Sequence, residues 1–147
     1  MATLGIVGLG QIGRRVAEIG AAMGMTIRYT SRREHPEVER CLHARRRELD
    51  DLCAESDFIS VHTSTSAPAG LIGSALERAH GAVLVNSVSA PKLVDPAALL
   101  STLESGSLRR AVVEGSYGEP WSRGSNVPGI SVADPVVRHR LHARVAR

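Results

Sequence analysis

Two hydrophobic rhythms alternate along this chain, and they predict its elements. The apolar run Leu4-Gly5-Ile6-Val7 reads as a first strand over residues 3–7. Val16, Ala17, Ile19 and Gly20 then recur at helical spacing. They predict a helix over residues 11–23, closed by Gly24 just past its end. Thr26-Ile27-Arg28-Tyr29-Thr30 is β-rich and forms a second strand, followed by a polar loop from Ser31 to Pro36. Residues 37–47 are charged and fit a helix plus a short edge strand. Glu48 to Glu55 predicts a short helix with Leu49 and Leu52 inward, and Phe58 to His62 another strand. Thr63 to Gly70 is a Ser/Thr/Ala/Pro loop, and Leu71 to Ala79 turns helical. Ala82-Val83-Leu84-Val85 is the most apolar strand, which places it centrally in a sheet covered on both faces. Asp95 caps a helix that has Pro96 at its first position and runs to Leu103. Ala111 to Val113 and Ile130 to Val132 are further strands, with a Gly/Ser/Pro-containing loop from Glu114 to Gly129. The tail from Val136 is either a short basic helix or frayed.

Strands that alternate with helical segments predict an α/β fold, a Rossmann-type doubly wound parallel sheet in one domain. Its bounds are read as residues 1–134, with a basic tail over 135–147. In such sheets ligands sit at the carboxyl ends of the strands, near the point where strand order reverses. Five loops lie there: Gly8–Gly13, Ser31–Arg33, His62–Ser66, Asn86–Lys92 and Glu114–Pro120.

The first loop carries the sharpest chemical signal. Gly8-Leu9-Gly10-Gln11-Ile12-Gly13 follows a strand and opens a helix, the context that makes G-x-G-x-x-G informative. The first glycine allows the turn, the second lets a pyrophosphate approach, and the third lets helix and strand pack closely. Free N–H groups at the helix start favour an anion. Gly8, Gly10, Gln11, Ile12 and Gly13 are therefore candidate dinucleotide contacts. The alternative is a tight turn that binds nothing.

Composition narrows this only modestly. The chain has 147 residues, 43% of them apolar and 3% aromatic, so its core is aliphatic. A net charge of +3, spread over separated arginine clusters, does not argue for nucleic acid. Arg45-Arg46-Arg47 reads as a solvated face, and Arg138, Arg140, Arg144 and Arg147 as a tail that touches an acidic partner or nothing. Cys41 and Cys53 read as free thiols of a cytoplasmic protein, the disulfide being the lesser alternative. The chain starts in its first strand, with no secretory signal. No apolar run approaches the ~20 residues that span a membrane.

Several motifs in order resemble one family. Leu4–Gly13, Ala54-Glu55-Ser56-Asp57, Val83-Leu84-Val85-Asn86, Leu93-Val94-Asp95 with Ala97-Ala98-Leu99, and Glu119-Pro120 are similar to the nucleotide-binding domain of D-isomer-specific 2-hydroxyacid dehydrogenases. The resemblance covers roughly residues 3 to 120. It implies a nicotinamide cofactor and hydride transfer on a small 2-keto or 2-hydroxy acid. It also implies a second, substrate-binding domain built from the chain ends, for which this sequence has no counterpart. In that family an arginine grips the substrate carboxylate, a histidine exchanges the proton and a glutamate before a proline holds the histidine. The glutamate matches Glu119. The arginine position falls near Ser89, where Lys92 is the nearest cation but lacks a bidentate fork. The histidine position falls near Asp134-Pro135, so His139 or His142 is left to swing in, unless both are solvated tail residues. Glu114 stands where the family has an aspartate near the nicotinamide amide. His62 matches a frequent strand-end residue, and Thr63, Ser87, Val88 and Ser89 are cofactor-loop candidates beside it.

The second strand ends Tyr29-Thr30-Ser31-Arg32-Arg33. NAD-preferring domains carry an acid there, which binds the ribose hydroxyls and repels a 2′-phosphate. Ser31 is uncharged, and Arg32 and Arg33 offer guanidinium forks for a phosphate. The run resembles the NADPH-preferring glyoxylate/hydroxypyruvate reductases of the family, which favours NADP(H) over NAD(H). Family members commonly pair through this domain, so a homodimer or a complex with another subunit is expected. Two other readings stay open. One is a catalytically degenerate dinucleotide-binding module or partner subunit. The other is a diverged biosynthetic enzyme that reuses the cleft, with Lys92 or Glu119 as acid or base.

Overall fold

The computed structural model describes residues 1–64, 67–88, 93–114 and 130–133, with backbone alone for 114 and 130–133. In chain order the elements are β1 (Thr3–Val7), α1 (Gln11–Ala22), β2 (Thr26–Thr30), α2 (Pro36–Leu42), β3 (Arg45–Arg46), α3 (Leu49–Glu55) and β4 (Phe58–Val61). A single 3-10 turn (Ser74–Arg78) follows, then β5 (Ala82–Asn86), α4 (Pro96–Ser105), β6 (Leu108–Glu114) and β7 (Ile130–Ala133). Seven strands make one sheet in the order β3-β2-β1-β4-β5-β6-β7. Every pairing is parallel. The expected α/β doubly wound architecture is therefore what this chain forms. Strands step outward from β1 to β3, return to β4, and step out the other way. The reversal lies between the carboxyl ends of β1 and β4, where such sheets open a crevice.

Parallel strands need crossovers, and the crossovers here cover the sheet from both sides. On one face, Leu4, Ile6, Ile27 and Tyr29 pack with Ala17 of α1 and Val38 of α2. On the other, Val7, Ile59, Val61 and Leu84 pack with Leu52 and Cys53 of α3, Leu76 of the 3-10 turn and Leu99 of α4. Helix α3 reaches β1 because Gly5 has no side chain: a Cβ there would lie 2.7 Å from Leu52 Cδ2. Asp95 caps α4 by accepting from the Ala97 and Ala98 amides at 2.8 and 3.3 Å.

Three elements differ from the sequence expectation. Leu71–Ala79 forms only one 3-10 turn, because Ile72 pairs with Val94 as an isolated parallel bridge and its amide donates to Leu93 O at 3.1 Å. That long-range pairing pins the segment before a longer helix can start. β5 is interior to the sheet, but Val83 and Val85 are half-buried while Ala82, Leu84 and Asn86 are buried. Its two faces are thus unequally covered among the described residues, unlike the symmetric burial that its unbroken apolar run predicts. Of the arginines read as a solvated face, Arg45 and Arg46 are exposed and Arg47 is half-buried. Arg46 and Arg47 make hydrogen bonds, given below.

Both cysteines are free thiols, Cys41 exposed and Cys53 buried. Among the described residues no helix is long and apolar enough to cross a membrane. The loop 115–129 and the tail 134–147 lie outside the described residues.

Candidate functional site

At the reversal point the chain makes a tight turn. Gly8 has φ 97°, a left-handed backbone that side chains rarely adopt, and a Cβ there would sit 2.7 Å from His62 O and 2.8 Å from Thr63 N. The turn after β1 is thereby pressed against the end of β4. A Cβ on Gly13 would overlap the Gly8 carbonyl oxygen and lie 3.3 Å from Ile6 Cγ2, so α1 can start this close only without one. Gly10 is the opposite case: nothing lies within 4 Å of where its Cβ would be. That opening sits at the N-cap of α1, where no side chain accepts from the helix amides and no acid occupies the first turn. An uncapped helix start beside open space is a place for an anion. Gln11 and Ile12 are exposed there.

The next loop in the crevice follows β2. Arg32 and Arg33 are exposed, and no ion pair holds either among the described residues. The Ser31 hydroxyl donates to Arg33 O, folding the loop on itself. Arg46, on the neighbouring strand β3, donates from Nε and Nη2 to Ser31 O at 3.3 and 3.0 Å. Tyr29 is wholly buried, and its hydroxyl donates to Glu39 Oε1 at 2.7 Å and accepts from the His35 amide at 3.1 Å. Burial first, then the Glu39 hydrogen bond, pushes the Tyr29 phenol above its ordinary value, so it stays a donor. Arg28 and Arg47 both donate to Glu55, at 2.7 and 2.8 Å, tying β2 and the end of β3 to α3. These two hydrogen bonds, Arg28's first, hold the Glu55 carboxyl below the usual range.

At the end of β4, His62 Nε2 lies 2.8 Å from Ser60 Oγ, and burial lowers the His62 pKa, favouring the neutral ring. Beside it, Thr63 Oγ1 is buried without a hydrogen-bond partner among the described residues. Beyond β5, Ser87 is exposed and the Val88 amide donates to Asn86 Oδ1 at 3.2 Å. Glu114 ends β6, described by backbone only. Ser89, Lys92, Glu119, His139 and His142 lie outside the described residues. Among the described residues no group of His, Cys, Asp and Glu could hold a metal ion.

The fold thus brings Gly8, Gly10, Gly13, Ser31–Arg33, His62 and Thr63 to the carboxyl ends of three adjacent strands, β1, β2 and β4. Sequence reasoning missed Arg46, Tyr29, Glu39 and the His35 amide. Only the pairing of β3 beside β2 reveals Arg46, and nothing local marks the others. A dinucleotide fits the residues present. Gly10 leaves space for a pyrophosphate at the uncapped start of α1, and Thr63 Oγ1, beside the same turn, is buried with no partner among the described residues.

Comparison with known proteins agrees. Residues 1–137 match the family model of the D-isomer specific 2-hydroxyacid dehydrogenase NAD binding domain. The chain is 41% identical over 120 residues to a glyoxylate reductase of Aeropyrum pernix, covering 80% of this chain and 36% of that protein. It is 35% identical over 147 residues to a glyoxylate/hydroxypyruvate reductase B of Klebsiella pneumoniae, covering 95% and 45%. The holo form of D-mandelate dehydrogenase from Rhodotorula graminis superposes with TM-score 0.78 at 26% identity, covering 90% and 40%. The NAD-complexed D-isomer specific 2-hydroxyacid dehydrogenase of Lactobacillus delbrueckii ssp. bulgaricus gives 0.76 at 26%, covering 90% and 45%. The chain spans less than half the length of these relatives. With its glycine turn at the strand reversal and a family match over nearly its whole length, this chain belongs to the NAD-binding domain family of the D-isomer-specific 2-hydroxyacid dehydrogenases.

Proposed function

We propose that this chain binds NADP(H) in preference to NAD(H) and is the cofactor-holding part of a reductase of small 2-keto acids. The observation that carries the preference is at the end of β2: two exposed arginines that no ion pair holds among the described residues, and a serine where an acid would exclude a 2′-phosphate. The amides at the start of α1 take the pyrophosphate. Arg32 and Arg33 take the 2′-phosphate through charge-assisted forks. Thr63 and the loop from Ser87 to Ser89 line the cofactor's path, and Glu114 meets the nicotinamide amide. The cofactor, when bound, supplies the hydride. Lys92 meets the substrate carboxylate, and Glu119 and His139 handle the proton, roles that rest on the family resemblance. Relatives named glyoxylate reductase and glyoxylate/hydroxypyruvate reductase support the substrate class.

The test measures both cofactors by calorimetry on the wild type and on Arg32→Ala. NADPH binding should weaken roughly ten- to a hundredfold, since a charge-assisted contact is typically worth about 1.5–3 kcal/mol, while NADH binding barely moves. Tighter NADH binding by the wild type, or equal loss of both, overturns the preference. A second reading, a binding module without turnover, is favoured by one sequence feature: Asn86–Lys92 has no arginine for a carboxylate. Tight cofactor binding with no oxidation of NADPH by any 2-keto acid would select it.

We also propose that the chain self-associates. Ile12 and Ile19 on α1 and Met23 at its C-cap are 68%, 61% and 74% exposed, and their spacing puts them on one stripe. Light scattering should report a dimer, and a monomer at high concentration refutes this.

A further inference from the structure

We propose that Arg46 is a positioning residue for cofactor choice: it holds the loop after β2 in the shape that presents Arg32 and Arg33 to a 2′-phosphate. This rests on the NADP(H) reading above. Residues 31–35 are fastened to the rest of the fold at both ends by hydrogen bonds, from Arg46 and to Tyr29. At the first end, the Arg46 guanidinium donates to Ser31 O at 3.3 and 3.0 Å. At the second, the His35 amide donates at 3.1 Å to the hydroxyl of Tyr29, whose ring meets the His35 ring edge-on at 5.9 Å. Inside, the Ser31 hydroxyl closes on Arg33 O, so it is engaged in shaping the turn. The backbone of Arg32 and Arg33 is fixed by this frame, while both side chains remain exposed.

Arg46 suits this task for a geometric reason. Its planar fork puts two donors on one carbonyl, which a lysine's single ammonium cannot reproduce. Strand β3 pairs Arg46 with Tyr29, so one strand register delivers both anchors to one loop. Glu34 Oε1 lies 4.0 Å from Arg46 Nη1, so the same guanidinium also faces the acid that follows Arg33 in the loop. NADH has no 2′-phosphate to engage the arginines, so only NADPH binding depends on the loop being held.

The experiment titrates the full chain with NADPH and with NADH, using the wild type, Arg46→Met, Arg46→Lys and Arg32→Ala, with thermal unfolding of each. Arg46→Met should weaken NADPH about tenfold, the loss of one hydrogen-bonded charged anchor, and leave NADH within about twofold. Arg46→Lys should recover little of it. Equal loss of both cofactors, or full rescue by lysine, overturns the inference: the first marks a merely structural residue, the second a charge without a positioning role. If Arg32→Ala is selective for NADPH and Arg46→Met is not, the inference alone falls. If neither variant is selective and the wild type prefers NADH, the NADP(H) reading falls and takes this inference with it.

Discussion

The turn after β1 and the loop after β2 end adjacent strands and face the same crevice, yet they are built by opposite means. The first is made of backbone. Its shape follows from three positions where a side chain is absent, one for a left-handed φ, one for open space and one for close packing. The second is made of side chains: Arg46 and Tyr29 reach it from β3 and β2, and Glu39 of α2 accepts from the Tyr29 hydroxyl. A backbone-built site is fixed by sterics and tolerates almost no substitution. A side-chain-built site can be retuned one contact at a time, which suits the part of the crevice that discriminates between cofactors.

The largest effects should come from the backbone half, and they should split by position. Gly13→Ala drives a methyl into the Gly8 carbonyl, so stability should fall by at least ~1–3 kcal/mol and cofactor binding should vanish. Gly10→Ala meets nothing in the protein, so its melting temperature should stay near the wild type while the dinucleotide binds far more weakly. Thermal unfolding beside calorimetry checks the pair. If Gly13→Ala is as stable as Gly10→Ala, the steric account of the turn is broken. The smallest effect sharpens the other half. Tyr29→Phe removes the hydroxyl that links Glu39 to the His35 amide. It should cost about 1 kcal/mol of stability and reduce NADPH binding less than Arg46→Met does. Because the Tyr29 phenol is pushed upward, this effect should be constant across neutral pH. A larger loss from Tyr29→Phe than from Arg46→Met would reverse the order of the two anchors.

The same division explains what could be read from the sequence. β1, α1, β2 and the capped start of α4 were legible because each is written locally, as apolar period, glycine or Asp-Pro. The glycine turn was legible for the same reason. The 3-10 turn was not, since its length is set by the Ile72–Val94 bridge across the fold. The exposure of Arg46 was legible and its hydrogen bond was not, because its partner, Ser31 O, is fifteen residues away and becomes a neighbour only once β3 lies beside β2. Glu39 gave no signal at all: its role exists only against a buried tyrosine.

Burial of Cys53 in α3 has a use beyond packing. Desolvation, with Asp50 adding to it, pushes that thiol up to about 12, while Cys41 is exposed. Only a thiolate attacks an alkylating reagent. The folded chain therefore offers one reactive sulfur and an opened chain offers two. Modification of the second sulfur should therefore track the population of states in which Cys53 is exposed. The chain carries an internal reporter of its own native-state opening, readable by mass.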